Sequence, residues 1–376
     1  MPNTEDARKG GILFLRDKKH QMTLSDFSKK LETFYQQDGI NKEIVSLDTL
    51  LSKVLSYFFV EYDKVDDAEF SAVHYNSHLK AATQKSTLRS ALDAKLKEAN
   101  NLIKGACSFG TLDGKEKFYK YFFKSDGSLQ SNNFASSIAK GKCFFRMRGS
   151  DAYHVYKRIG LFQIPEHIIR LIGKQRFNND GVPCLYLGES LYCAWEEVRR
   201  KNFEQVNFAG FKNTKDLKVL DVTIKPRLLT KEDFILAYFA LLVSGKVEDK
   251  DAHKFQYDVS NLLMDVLMAS VTNGGDIDGI KYMSSRRYDG MELSIADTSR
   301  MYGYVFPPKG RDTVDGIDKW MRSTFKLTEP RTSFMYDIHL IDFDRTKKAI
   351  TNDYQKTLFY MIEENLKKET FDYCDK

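Results

Sequence analysis

The sequence predicts an α+β protein in which an all-α N-terminal domain precedes a domain of mixed strands and helices. Three observations predict it. Apolar residues recur at helical spacing through residues 23–103, and residues 104–142 are rich in Gly, Ser and Asn. Beyond them, short segments rich in β-branched residues alternate with helical ones. We therefore expect a helical domain over 1–140 with a linker at its end, a mixed domain over 141–345 and a C-terminal helix over 346–376.

The N-terminal helices are predicted from three apolar stripes, because an amphipathic helix buries such a face. The stripes comprise Leu24, Phe27, Leu31, Phe34 and Tyr35; Ile44, Leu47, Leu51, Val54, Leu55, Phe58 and Phe59; and Leu88, Leu92, Leu96, Ala99 and Ile103. Residues 104–142 follow the last stripe, and their Gly, Ser and Asn content is typical of loop and linker.

The mixed domain contains strands and helices of ordinary length. Alternation and β-branched content predict strands at "PCLYLG", "LKVLDVTI", "DGIKYMSS" and "SFMYDIHLIDF". Helical spacing predicts helices at "SLYCAWEEVRRKN", "KEDFILAYFALLVSG", "FQYDVSNLLMDVLMASVT" and "YQKTLFYMIEENLKKE". There is no internal repeat.

Composition narrows the compartment and the ligand class. The net charge of +6 suits a polyanionic ligand without demanding nucleic acid. Five scattered cysteines without a CxxC pair indicate reduced thiols. The longest apolar run, residues 234–243, is about half of what a bilayer span needs, and the N-terminus lacks signal-peptide order. We expect a cytoplasmic protein with no membrane partner.

An arginine, a tyrosine and a glutamate lie close together in the sequence, before a predicted turn, on a predicted strand and on a predicted helix. Tyr186 follows Arg176 by ten residues, and Glu197 follows Tyr186 by eleven. Asn-Asp-Gly and a proline predict a turn after the arginine, and Glu197 should lie about two turns inside the helix. A later strand ends on Ser284 and Ser285. These elements could bring the side chains to one cleft.

The run R-F-N-x-x-G-V-P-x-L-Y-L-x-x-S-x-x-x-A-x-x-E-V resembles the core motif of the RES-domain family. That family is named for its Arg, Glu and Ser residues, and its members are bacterial toxins that degrade NAD. "DGIKYMSSR" resembles its second block and "FFRMRG" its opening strand, so the resemblance covers roughly residues 143–290. Met283 stands where the family often has proline, which leaves Ser284 and Ser285 both open as the family serine. Tyr192 and Cys193 stand where Glu-Thr is common.

The resemblance implies a fold similar to that of ADP-ribosyltransferase toxins and assigns the family positions to this chain. The implied catalytic residues are Arg176, Tyr186, Glu197 and Ser284, and the implied substrate-binding residues are Arg176, Tyr186, Arg146 and Ser285. It also implies NAD+ as the substrate. No metal or cofactor is then required, and inorganic phosphate is a candidate co-substrate.

Physical chemistry supplies a role for each residue type. A planar guanidinium such as Arg176 suits a pyrophosphate, and Arg146 could assist it. A tyrosine face such as Tyr186 attracts a pyridinium cation. A carboxylate such as Glu197 stabilises positive charge that develops on the ribose. The hydroxyl of Ser284 could bind the ribose or the carboxamide of nicotinamide.

Each residue also has a purely structural interpretation. Arg176 could pair with a surface acid, and Tyr186 could be a core aromatic. Glu197 lies beside Glu196 and before two arginines, so it could belong to an exposed charged helix face. Ser284 could be a turn residue. The joint spacing and the second block favour the functional interpretation.

The expected activity is cleavage of the nicotinamide–ribose bond of NAD+ by a toxin, with phage defence as one setting. Water as acceptor gives a glycohydrolase, phosphate gives a phosphorylase, and a protein side chain gives an ADP-ribosyltransferase. The motif does not choose among them, since all three share the first bond cleavage. The resemblance also implies a separate antitoxin partner. The oligomeric state stays open, a homo-oligomer included, and the helical extension suggests a regulatory or sensor role.

Other function classes find weaker support. His74 and His78 lie one helical turn apart, but a zinc site needs more ligands nearby. Arg148 and His154 have a spacing that some metal-independent ribonucleases use. Scattered basic clusters leave a non-enzymatic nucleic-acid or partner-binding regulator as a rival, although nucleic acid is not the expected ligand. No G-x-G-x-x-G motif follows a strand, which disfavours NAD as a redox cofactor.

Overall fold

The structure is a computed structural model of the 376-residue chain. It describes residues 22–36, 40–68, 70, 75–76, 81–82, 84–109, 112–151, 154–165, 175–178, 181–245, 255–285, 299–310, 313–314, 316–332 and 354–374. The strand predicted at "SFMYDIHLIDF" and the histidine pair at 74 and 78 lie outside these ranges. No helix within these ranges has the length and the apolar content that crossing a membrane requires.

The described part of the chain begins with helices and continues with a mixture of strands and helices. The helices are α1 (Leu24–Glu32), α2 (Ile40–Glu43), α3 (Leu47–Asp63), α4 (Lys85–Phe109), α5 (Leu112–Phe122), α6 (Arg158–Leu161), α7 (Leu191–Glu197), α8 (Lys231–Val243), α9 (Asp258–Thr272), α10 (Lys319–Thr324) and α11 (Leu358–Lys368). The strands are β1 (Tyr75–Asn76), β2 (Ala81–Ala82), β3 (Ala135–Ile138), β4 (Cys143–Gly149), β5 (Leu185–Gly188), β6 (Val206–Asn213), β7 (Leu217–Val222), β8 (Gly279–Met283), β9 (Tyr302–Phe306), β10 (Thr313–Val314), β11 (Ile317–Asp318) and β12 (Phe325–Leu327).

In the described part of the chain, eight strands form one mixed sheet in the order β12-β6-β4-β5-β9-β8-β7-β3. Neighbouring strands are antiparallel except β7 and β8, which run parallel. The connection between these two strands contains α8 and α9, as a parallel pair requires a long crossover. The α+β prediction is confirmed.

Both faces of the sheet are covered. Alternate residues of β9 show this, because Val305 packs in the cluster with the N-terminal helices while Tyr304 and Phe306 pack in a cluster on the other side. A third cluster joins Phe145 of β4 to α7 and to α11. Apolar packing therefore supports the sheet on both of its faces.

The N-terminal helices share one hydrophobic cluster with α8, α9 and the strands β7 to β9. Within it, α8 is buried on all sides, since every residue from Phe234 to Val243 is at most 2% exposed. The N-terminal helices, called the helical layer below, thus pack directly on α8, the helix that crosses between β7 and β8. The three predicted apolar stripes are helical except at Ile44, which lies between α2 and α3, and most of their residues are buried.

The prediction of loop and linker over residues 104–142 is wrong for much of that range. The helix α4 continues to Phe109, α5 occupies Leu112–Phe122, and β3 joins the sheet at Ala135–Ile138. Aromatic residues at helical spacing bury one side of α5, and acid–lysine pairs four residues apart lie on its surface. The prediction was wrong because it gave more weight to the Gly, Ser and Asn content of the segment than to this helical periodicity.

Candidate active site

The candidate site is a cleft of about 360 Å³ beside β4, β5 and α7. The two strands are paired at Phe145 opposite Gly188, and no further pair joins them in the described part of the chain. Charged and aromatic side chains line the cleft, among them Arg146, Arg176, Tyr186, Glu197, Tyr257 and Ser285. An opening between neighbouring strands gives these side chains room to converge.

The helix α7 brings its last residue to the cleft. Ser190 caps its N-terminus by accepting a hydrogen bond of 3.0 Å from Cys193 N. Gly188 permits the close approach of strand and helix, because a Cβ at this position would lie 2.9 Å from the carbonyl oxygen of Ser190. The helix ends at Glu197, so this residue lies at its C-terminus and not inside a longer helix as the sequence predicted.

The end of α7 has unusual backbone geometry. Arg199 and Arg200 have φ of 62° and 51°, the left-handed region that residues other than glycine rarely adopt. Their backbone N–H groups donate to Glu196 O and Trp195 O and close the helix. Such conformations cluster at functional sites, and Arg199 lines the cleft.

Glu197 is held by a serine from another element. The hydroxyl of Ser284, directly after β8, donates to Glu197 Oε1 at 2.5 Å. Ser284 is fully buried, while Glu197 is exposed to the cleft. The serine is therefore suited to orient the carboxylate, and the carboxylate is the group that a ligand would reach.

The neighbouring acid has a different environment. Glu196 is buried, and its carboxylate accepts hydrogen bonds from the hydroxyl of Tyr192 and, at 2.7 Å, from Arg200 Nε. A buried carboxylate with charged and hydroxyl partners stabilises the local fold. Of the two adjacent acids, Glu197 is the one that lines the cleft.

Arg176 is anchored on three acceptors. Its guanidinium donates to Ser285 Oγ at 2.7 Å, to Gly245 O at 2.9 Å and to Val243 O. Its guanidinium carbon lies 5.1 Å from the ring centroid of Tyr257, within cation–π range. A guanidinium has five N–H groups, so these bonds leave donors for an anion in the cleft.

Tyr186 presents its ring to the cleft and uses its hydroxyl within the protein. The hydroxyl donates to Asn178 Oδ1 at 2.6 Å and accepts from Phe177 N at 3.2 Å. These bonds tie β5 to the segment that bears Arg176. Burial raises the pKa of Tyr186 well above its usual value, so its phenol stays protonated at neutral pH.

Arg146 bridges the two strands that border the cleft. Its Nη1 donates to the carbonyl oxygen of Tyr186 at 3.0 Å, which satisfies a β5 acceptor where the strands are no longer paired. Burial, followed by the charge of Arg148, lowers the pKa of Arg146 to about 10. The group remains cationic at neutral pH.

Comparison with known families places this geometry in context. Residues 160–298 match the model of the RES domain. The chain contains a RES domain. The match includes the segment with Arg176 and Tyr186, the helix with Glu197 and both serines after β8, whereas Arg146 precedes it. The N-terminal helices α1 to α5 also lie outside the match.

Two similar proteins are named toxins or toxin complexes. The chain is 28% identical over 208 residues to a protein of Bacillus subtilis (strain 168) named "Putative toxin YopC". That alignment covers 50% of this chain and 45% of the other, so the chain spans less than half of that relative. A structural alignment to a chain of the M. tuberculosis MbcT–MbcA toxin–antitoxin complex covers 54% of this chain and 90% of the other, at 14% identity and a TM-score of 0.30.

The RES-domain cleft contains residues that the sequence did not single out. Tyr257 packs on Arg176 from the 3-10 turn before α9, and Tyr282 lines the cleft from β8. Tyr282 lies within the block "DGIKYMSS" that the sequence analysis predicted as a strand. Since residues two apart on a strand share a face, its spacing from Ile280 could have indicated that it faces inward. No local pattern relates Tyr257 to Arg176, because 81 positions separate them.

The ribonuclease spacing of Arg148 and His154 corresponds to a structural contact. Arg148 Nη1 donates to Gly160 O at 2.6 Å, and its guanidinium lies 5.0 Å from the ring centroid of Tyr156. The ring of His154 packs against the same tyrosine. These contacts account for both residues without any substrate.

Proposed function

We propose that the RES-domain cleft binds NAD+ and cleaves the bond between nicotinamide and ribose. The observation that supports this most is the pair of contacts after β8, Ser284 with Glu197 and Ser285 with Arg176. They fix a carboxylate and a guanidinium on the walls of one cleft. NAD+ has a group for each, since its ribose gains positive charge on cleavage and its pyrophosphate is an anion.

The carboxylate supplies the main catalytic effect in this proposal. The bond between C1′ of the ribose and the pyridinium nitrogen breaks, and its electron pair leaves with neutral nicotinamide. Positive charge then develops on the ribose, which Glu197 stabilises more strongly than it stabilises the ground state. Ser284 orients that carboxylate from its buried position. An acceptor oxygen then bonds to C1′.

The remaining residues bind and orient the substrate. Arg176 donates its remaining N–H groups to the pyrophosphate, and Arg146 adds positive charge to the same cleft. The ring of Tyr186 shapes the slot for the pyridinium cation, which its negative face attracts. Because its hydroxyl stays protonated, Tyr186 is not the base that accepts a proton from water.

At the level of the cell, we propose that the chain is a toxin that depletes NAD+ and is controlled by an antitoxin protein. The relatives named above are called a toxin and a toxin–antitoxin complex. Phage defence is one setting that such a toxin would suit. The acceptor is water or inorganic phosphate, and the arginines of the cleft would favour the binding of phosphate.

Product analysis tests the proposal and identifies the acceptor. The purified 376-residue chain is incubated with NAD+ in buffers with and without inorganic phosphate, and the products are identified by mass spectrometry. Free nicotinamide is expected in either case, with ADP-ribose from water or ADP-ribose 1-phosphate from phosphate. ADP-ribose attached to protein would instead identify an ADP-ribosyltransferase. Intact NAD+ together with salt-dependent binding of nucleic acid would favour the binding-protein alternative.

A further inference from the structure

We infer that Tyr35, in the N-terminal helical layer, is a positioning residue for Arg176 and acts through the last turn of α8. The hydroxyl of Tyr35 donates to Leu241 O at 2.7 Å, and Arg176 donates to Val243 O and Gly245 O. The same helix end therefore contacts both the helical layer and the cleft arginine. The kinetic part of this inference rests on the proposed cleavage of NAD+.

The last turn of α8 needs side-chain donors. The final carbonyl groups of a helix have no partner within the helix, and here they are buried with the rest of α8. Ser244 Oγ donates to Ala240 O at 2.5 Å, Tyr35 to Leu241 O, and Arg176 to Val243 O. Leu241 O also accepts a longer bond of 3.3 Å from the backbone N–H of Ser244, and the three side-chain donors complete the capping of this buried helix end.

Tyr35 is rigid enough for such a role. It lies in the 3-10 turn Phe34–Gln36 and is 7% exposed. Its ring packs edge-to-face on Phe34, with the centroids 4.7 Å apart. The body of α8 is fixed separately, because Tyr238 donates to Asn100 Oδ1 of α4 at 2.6 Å. Removal of the Tyr35 hydroxyl would therefore take away one of the side-chain donors at the end of α8, while the bond that holds the body of the helix remains.

Arg176 is sensitive to a shift of this helix end. Two of its three acceptors belong to the chain at or just after the last residue of α8, and the third is Ser285. If the carbonyls of Val243 and Gly245 move, the guanidinium must follow them or lose its bonds. Since Arg176 is proposed to hold the substrate in place, its displacement would weaken the binding of NAD+.

The variant Tyr35→Phe tests the inference, with Tyr57→Phe as a matched control. Tyr57 also donates to a backbone oxygen, Lys30 O at 2.7 Å, but this bond joins α3 to α1 and does not involve α8. We expect Tyr35→Phe to raise the KM for NAD+ about fivefold with little change in kcat, which corresponds to the loss of one hydrogen bond of about 1 kcal/mol. Tyr57→Phe should leave KM unchanged.

A double-mutant cycle shows whether Tyr35 acts through Arg176. In an Arg176→Lys background, Tyr35→Phe should cause no further rise in KM, since the bonds that it positions are already lost. A full additional rise in that background would overturn the inference, as would an unchanged KM for Tyr35→Phe alone.

A readout without NAD+ separates this inference from the proposed function. Phenylglyoxal modifies free guanidinium groups, and peptide mass spectrometry follows the rate at Arg176. Tyr35→Phe should accelerate that modification several-fold, while Tyr57→Phe should not. Acceleration in a chain that leaves NAD+ intact would retain the positioning role and reject the proposed function. Equal rates in all three proteins would overturn the positioning role, whatever the activity.

Discussion

The hydroxyl of Ser284 donates to Glu197 Oε1 at 2.5 Å, which joins the end of β8 to the end of α7. These residues are 87 positions apart in the sequence. The next residue, Ser285, accepts a bond of 2.7 Å from Arg176. Two adjacent serines thus hold two of the charged groups that line the cleft, and each serine contacts a different one. The sequence left open which of the two is the family serine, and we expect them to divide their roles accordingly.

The first prediction concerns this pair of serines. Ser284→Ala removes the donor to Glu197, so we expect kcat for NAD+ cleavage to fall about tenfold with a small change in KM. Ser285→Ala removes an acceptor from Arg176, so KM should rise severalfold with a small change in kcat. Steady-state kinetics of both variants measures the split. Equal effects on kcat and KM in the two variants would contradict the division of roles.

The second prediction separates the ring of Tyr186 from its hydroxyl. Tyr186→Phe keeps the ring and removes the bonds to Phe177 and Asn178, so KM should rise about threefold to tenfold. Tyr186→Leu also removes the ring and should weaken binding by a further factor of about five. Affinity for NAD+ measured by calorimetry in a Glu197→Gln background provides the comparison. Identical affinities for Phe and Leu would exclude a role for the ring.

The third prediction concerns the stability contribution of Arg176. Arg176→Ala leaves the carbonyls of Val243 and Gly245 without this donor at the buried end of α8. We expect the free energy of unfolding to decrease by about 1–3 kcal/mol. Urea denaturation followed by circular dichroism measures it. An unchanged midpoint would show that the helix end does not depend on Arg176, and lost activity could then be attributed to binding alone.

The fourth prediction is a pH dependence that originates at Glu363. Its buried carboxylate accepts bonds from Leu191 N at 2.6 Å and from Tyr354, and burial raises its pKa above the ordinary value of 4.5. A raised pKa in the folded state adds stability below pH 4.5 that is lost as the pH rises through the folded-state pKa. The Tm of wild type relative to Glu363→Gln should therefore fall as the pH increases from about 4.5 to 7.

A second variant controls for the loss of one carboxylate. Glu364 lies beside Glu363 but pairs at the surface with Lys367, at 2.6 Å. Glu364→Gln measured over the same pH range gives the background to subtract. If the Tm of wild type relative to Glu363→Gln rises with pH after this subtraction, the assigned sign is contradicted.

The sequence predicted the elements with strong periodicity, and several of the residues that it singled out line one cleft. Stripes such as Leu88, Leu92 and Leu96 report burial on one helix face, which is a local property of the sequence. The strands β5, β7 and β8 were found for the same reason, since their alternation is local. The RES resemblance then brought together residues that no local pattern relates.

What the sequence could not predict depends on contacts between distant elements. The end of α7 at Glu197 follows from the left-handed conformation of two arginines, which no propensity favours. The strand β6, although it is eight residues long, was missed, because burial on both of its faces removes the alternation that marks a strand. The helical layer contacts the site through Tyr35, which lies 206 positions from Leu241.

The most direct test of the central claim compares two adjacent acids. Nicotinamide release from NAD+ is measured for wild type, Glu197→Gln and Glu196→Gln, with folding verified by circular dichroism. We expect Glu197→Gln to lower kcat at least about a hundredfold at unchanged Tm, because its carboxylate faces the cleft. Glu196→Gln should lower Tm and retain the chemistry in its folded fraction, because this side chain is buried beside Tyr192 and Arg200. Full activity in Glu197→Gln would contradict the account.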